Sequence, residues 1–188
     1  MVSTGLAIAY GALLVVSYAA ANLPEAIGTM WWAPAGLALG VMVLAPREAW
    51  PSLAASVGIV SLVMGLFGFP AERTVPLDVD VVWALGNALS PVAGAAVFLR
   101  LGEPPHDLRS VRNVVVLVGP SALASAAVAT LGSWIGWALW PAPEPRLSLG
   151  FSMASVAFGQ ISIAPLVLAL DGSPGPWSPG RRLSLIHI

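Results

Sequence analysis

Apolar and polar positions in this chain separate into blocks instead of alternating residue by residue. Long runs without a charged side chain are divided by short segments that collect charges, prolines and turn residues. Blocks of this length predict membrane-spanning helices, because a helix needs about 20 mostly apolar residues to cross the hydrocarbon core of a bilayer. Six runs qualify, at residues 3–21, 28–45, 50–69, 81–101, 111–140 and 148–170. The predicted fold is therefore all-α, a polytopic transmembrane helix bundle of about six spans over residues 1–170. The fifth run is too long for one span. It either ends near Trp134 to Trp140 or breaks at Gly119-Pro120, where proline removes a backbone hydrogen bond. In the first run, Ala19-Ala20-Ala21 resembles a small-residue cleavage site. It lacks the basic segment that a signal peptide carries, so the run reads as a span.

The second run shows the block logic most clearly. It is entered through Trp31, Trp32 and Pro34, closed by Pro46-Arg47-Glu48, and followed by Trp50-Pro51. Tryptophan at the edge of an apolar run suits a lipid–water interface, where an amphipathic indole can sit half in each phase. Two Gly-x-x-x-Gly pairs, Gly36/Gly40 and Gly132/Gly136, place small residues one turn apart and let a neighbouring helix approach closely. The run from Ser121 to Thr130 is similarly small. Helix packing within one bundle is the first reading of these faces, and a homodimer is the second.

Composition sharpens the class. The chain is 57% hydrophobic and 9% charged, against about 25% charged in soluble domains. The net charge is −1, with no lysine, which excludes the clustered basic face that a nucleic-acid partner needs. With no cysteine, thiol catalysis, disulfides and thiolate metal sites are excluded. The arginines supply an orientation, because cytoplasmic loops retain positive charge. With the N-terminus inside, the inner connections hold Arg47, Arg100, Arg109, Arg112, Arg181 and Arg182, and the outer ones only Arg73 and Arg146. Both termini of the multi-pass protein are expected in the cytoplasm. Residues 171–188 form a turn-rich linker or tail. Its ending, Leu183 to Ile188, resembles translated adapter sequence, so the natural chain is expected to run further.

Catalytic chemistry is hard to find. Every Asp, Glu and Arg falls in an expected connection or at a helix end, and His106 and His187 lie outside the runs. Paired membrane histidines for haem and a serine–histidine protease are thereby excluded. No P-loop, dinucleotide fingerprint or zinc motif occurs. Neither a catalytic residue, a metal site nor a cofactor is expected, and the chain is not expected to be an enzyme. What remains is neutral polarity inside the runs, at Asn87 and Gln160. A carboxamide in hydrocarbon must find partners or lose several kcal/mol, so both are expected to face the bundle interior. There they serve as interhelical hydrogen bonds or as the lining of a ligand pocket.

The order of motifs is similar to that of a bacterial family. Trp32-Ala-Pro-Ala-Gly36, followed by Arg47-Glu-Ala-Trp50-Pro51, resembles the WPPAGIA…R..WP region of the first type of MASE, the membrane-associated sensor domain. Gly86-Asn87 resembles that family's GN in the fourth span, and Asp107 to Arg112 its basic cytoplasmic connection. Gly159 and Ala164-Pro165 to Leu170 resemble the close of its sixth span, although Gln160 stands where the family usually carries an acid. The resemblance covers about residues 5–170. It implies a sensory input domain feeding a cytoplasmic output module in cis, such as a GGDEF cyclase, an EAL phosphodiesterase or a histidine kinase. On this reading Trp32, Pro34, Asn87, Gln160 and Pro165 are the ligand-binding or signalling candidates. The alternative is a small transporter or channel subunit for a neutral solute.

Overall fold

In the computed structural model the described residues are 2–21, 32–67, 76–104, 106, 108–139 and 149–170, all other positions lying outside them. The helices are α1 (Val2–Ala21), α2 (Ala33–Leu44), α3 (Trp50–Phe67), α4 (Leu77–Leu101), α5 (Val111–Val116), α6 (Ala122–Leu139) and α7 (Leu149–Leu170). A π-helical turn, Leu117–Ser121, joins α5 to α6 without a break. The described residues contain no strand. Among the described residues, three helices are long and apolar enough to cross a membrane, at Arg47–Phe67, Leu77–Leu101 and Val111–Gly136. The apolar stretches Thr4–Ser17, Ala33–Leu44 and Met153–Ala169 are shorter.

Helix boundaries follow local chemistry. Pro46 stops α2 by holding Ala45 extended, at φ −80° and ψ 148°. The end of α2 is then capped twice: Ala45 N–H donates to the Val41 carbonyl at 2.9 Å, and the Trp50 indole N–H donates to the Met42 carbonyl at 3.0 Å. The sequence Pro46-Arg-Glu-Ala-Trp50 is thus a turn that returns an indole onto carbonyls the helix leaves free. Helix α4 begins at Leu77, four residues before the sequence-based start at 81, and carries Asp78 and Asp80 in its first turn. Acids there complement the helix dipole, and Arg100 does so in the last turn. The sequence-based break at Gly119-Pro120 is replaced by the π turn, which absorbs the proline within a continuous helix. Trp31 and the outer ends of the expected second, third, fifth and sixth spans lie outside the described residues, as does the 171–188 tail.

Small residues share the interior with large ones such as Tyr10, Leu39 and Phe98, while many other large apolar side chains face outward. Ala38, Ala95, Ala126 and Ala164 are fully buried, while Ile8, Phe67, Val111, Leu123 and Phe158 are exposed. Contiguous exposed apolar surface of this kind marks an interface with a membrane or a partner. Both Gly-x-x-x-Gly pairs are used inside the bundle. A Cβ on Gly36 would collide with the Gly159 carbonyl, and one on Gly40 would lie 2.6 Å from Val167 Cβ, so α2 and α7 meet backbone to backbone. On the other side a Cβ on Gly132 would lie 2.9 Å from the Gly86 Cα, which seats α6 against α4.

The helix ends sort by charge. Helix α2 runs parallel to α7 (Gly36 against Gly159, Gly40 against Val167), and α4 runs antiparallel to α3 (Gly58 against Ala88, Gly65 against Asp80) and to α6 (Gly86 against Gly132), so the α2–α3 turn, the α4–α5 connection and the end of α7 lie at one end of the bundle. The four described arginines, Arg47, Arg100, Arg109 and Arg112, belong to that end, and Asp78 and Asp80 open α4 at the other. The α4–α5 connection is tied by side chains. Buried Asn113 accepts from Glu103 N–H at 2.7 Å and donates to its carbonyl at 2.9 Å, while Arg112 pairs with the Glu103 carboxylate at 2.9 Å. Within it His106 takes a left-handed conformation at φ 57°, one that histidine adopts more readily than most residues.

Candidate functional site

Where α4, α6 and α7 meet, the buried surface becomes polar. Ser90 on α4 and Ser125 on α6 share a hydrogen bond of 2.8 Å, and Gln160 on α7 donates its side-chain N–H to the Ser125 hydroxyl. All three side chains are buried, Gln160 being only 1% exposed. One turn before Ser125, in the π turn, Ser121 donates to the Gly94 carbonyl of α4 at 2.7 Å. Accepting from Gln160 leaves Ser125 its own proton, and either hydroxyl can donate in the Ser90–Ser125 bond, so both serines are hydrogen-bonded. It does not satisfy the glutamine. Gln160 Oε1 is buried and has no hydrogen-bond partner among the described residues, and the same holds for Thr130 Oγ1 on α6.

Prolines interrupt the elements around the node. Pro91 follows Ser90 inside α4, Pro120 precedes Ser121 in the π turn, and Pro165 lies five residues after Gln160 inside α7. A proline within a helix forfeits the hydrogen bond to the carbonyl four residues back. Backbone carbonyls at Asn87 and Ile161 are thereby released near the node.

The fourth wall is the start of α2. Trp32 is its half-buried N-cap residue, with Pro34 in the first turn, where a missing N–H costs nothing. Trp32 N–H donates to the Ser155 carbonyl of α7 at 3.2 Å, and the Trp32 carbonyl lies so close to Gly159 that any side chain there would collide with it. Ala35, Ala126, Ala129 and Val156 form a small apolar cluster against which Trp32 packs.

Of the residues singled out from the sequence, Trp32 lies at the α2–α7 contact with Pro34 in the first turn of α2, Gln160 bonds to Ser125 of α6, and Pro165 lies on α7 between Ala164 and Val167, which face Gly40. Asn87 stands apart: it is half-buried on α4, and no hydrogen bond joins it to Ser125 or Gln160. Sequence reading missed Ser90, Ser125 and Pro91. The available signal was the four-residue spacing of Ser121 and Ser125, which places both hydroxyls on one helix face. A separate cleft of about 370 Å³ between α3 and α4, floored by Ala54, Gly58, Ala84 and Ala88, has only apolar lining residues and nothing to orient a ligand. Among the described residues no cluster of His, Asp or Glu could hold a metal ion.

The buried node offers hydrogen bonding without charge. It can hold or reposition helices and can recognise a neutral polar group, and it contains neither a nucleophile–base pair nor a pair of carboxylates. No protein-family model matches the chain, and the comparisons with curated proteins and with solved structures give no match either.

Proposed function

We propose that the chain is the input domain of a bacterial signal-transduction protein. It lies in the inner membrane with six spans and both termini cytoplasmic, has no catalytic activity of its own, and feeds a cytoplasmic output module beyond α7. The observation that carries this reading is the buried carboxamide of Gln160, half unsatisfied, on the same helix as Pro165 and next in sequence to Gly159, which meets the start of α2. An unsatisfied buried polar atom costs about 1–3 kcal/mol, so its helix arrangement is poised against one that satisfies it. A stimulus favouring the second arrangement shifts the population, and α7 carries the shift towards the arginine-rich end. The ordered motifs from Trp32 to Leu170, similar to those of the first type of MASE, support the same reading.

Two measurements test it. The reading frame downstream of Leu170 in the source genome is expected to enter a GGDEF, EAL or histidine kinase module. A stop codon just past α7 would favour the alternative, a small carrier of a neutral solute. In the full-length protein, Gln160→Leu and Pro165→Ala are each expected to change the response of output to stimulus while insertion is retained. Parental responses in both variants would overturn the proposed path through α7.

A further inference from the structure

The node has a recognisable chemistry for what it would bind. We infer that Gln160 Oε1 is the acceptor for a small, uncharged, lipid-soluble ligand that carries one O–H or N–H donor on an apolar body. The inference deepens the input-domain reading and depends on it only for what binding would then control.

Four observations define the ligand. The heavy atom of the Ser90–Ser125–Gln160 chain that has no partner among the described residues, Gln160 Oε1, is an acceptor, so the group complementary to it is a donor. Its side chain is 1% exposed, which puts the donor out of water, where a hydrogen bond gains most because no solvent competes for it. The immediate neighbours along α6 and α7 are Ala126, Ala129 and Val156, with Trp32 against them, so the rest of the ligand meets apolar surface. Charge is excluded by distance. Asp80 and Arg100 each lie ten residues from Ser90 on α4, about 15 Å along the helix, and a charged ligand would sit beside the node with no partner.

Entry runs between α2 and α7. Helix α2 has 12 residues, and glycine faces seat it against α7, with the bond from Trp32 N–H to the Ser155 carbonyl at its start. Contact between backbones at Gly36 and Gly159 leaves no room for an inserted molecule. A ligand reaching Gln160 from this side therefore displaces α2 from α7, so binding and helix movement are one event. An acceptor that the closed arrangement leaves empty is what would make opening favourable.

Gln160 is the only glutamine in the chain, which gives the site a built-in reporter. The full chain would be made by cell-free synthesis with glutamine ¹³C-labelled at the side-chain carbonyl and placed in dioleoylphosphatidylcholine nanodiscs. Isotope-edited infrared spectra would follow the labelled carbonyl on titration with 1-hexanol, and separately with its isomer methyl pentyl ether, which has no donor. The expected result is a saturable shift of the carbonyl band to lower wavenumber with the alcohol and none with the ether. A response to the ether as large as to the alcohol, or no response to either, would overturn the inference. So would a band that is already at its hydrogen-bonded position before any addition and moves on transfer to D₂O, since the acceptor would then be held by water. The measurement uses no output module, so its failure is separate from failure of the input-domain reading, which the downstream reading frame decides.

Discussion

Ser125 Oγ serves two partners at once, and the stability of the polar interior turns on that residue more than on the anomalous glutamine beside it. Removing the hydroxyl with Ser125→Ala strands the amide of Gln160 completely and leaves Ser90 without its partner. Leaving a buried polar group unsatisfied costs about 1–3 kcal/mol, and that is the expected loss. Gln160→Leu removes an already half-stranded group and leaves the Ser90–Ser125 bond intact, so the expected change is within about 1 kcal/mol of the parent, in either direction. Steric-trapping unfolding in bicelles measures both, and a larger loss for Gln160→Leu than for Ser125→Ala would contradict the assignment. The two residues differed in legibility for a physical reason. A carboxamide in an apolar run is conspicuous because hydrocarbon penalises it. A serine there is common, and whether it packs or bonds depends on which helix it faces.

At the level of elements, glycine decides how close two helices come. Gly159 lies under the Trp32 carbonyl, whereas a Cβ on Gly119 would meet nothing within 4 Å. Gly159→Ala is therefore expected to push α2 off α7 and to lose about 1–3 kcal/mol, the usual cost of overpacking. Gly119→Ala is expected to be neutral or to stabilise by up to about 1 kcal/mol through helix propensity. Thermal unfolding in detergent checks the pair, and equal effects would mean that the α2–α7 contact is looser than described. Helix existence was largely legible in the sequence because apolar length is a strong signal, as α3 and α7 show. Boundaries were less so. The acids at 78 and 80 read as a connection, although both lie in the first turn of α4, where the dipole accommodates them. At Pro120 the sequence said only that something must give, and a π turn is one of several ways a helix can yield. The glycine pairs were readable as close-contact faces, but not which helix each would meet.

For the whole molecule, charge and packing make separate statements about how it lies in a bilayer. The described arginines gather at the end where the α2–α3 turn, the α4–α5 connection and the end of α7 meet, and Asp78 and Asp80 lie at the other. A positive-inside bias would put the arginine end in the cytoplasm, the orientation taken in the proposed function. Among the described residues, three helices, all between Arg47 and Gly136, meet both length and apolarity for crossing on their own, the apolar stretch of α7 being shorter than the helix itself, and the contributions of α1, α2 and α7 decide between a three-span and a six-span protein. Both arrangements put Asp107 inside and Asp78 outside, so reporters at those sites fix only the orientation. The C-terminal side separates them. If α7 does not cross, the chain leaving α6 remains outside and a reporter at Ser178 reads periplasm. If α7 crosses, Ser178 returns to the cytoplasm. Helix α7 is 22 residues long, about 33 Å at 1.5 Å per residue and so enough for a hydrocarbon core of about 30 Å, and its far end shares the arginine-end core through Leu168. The expected readings from alkaline phosphatase and green fluorescent protein fusions are cytoplasm at Asp107 and Ser178 and periplasm at Asp78. A periplasmic reading at Ser178 would remove α7 from the membrane, and with it any path from the Gln160 node to a cytoplasmic output.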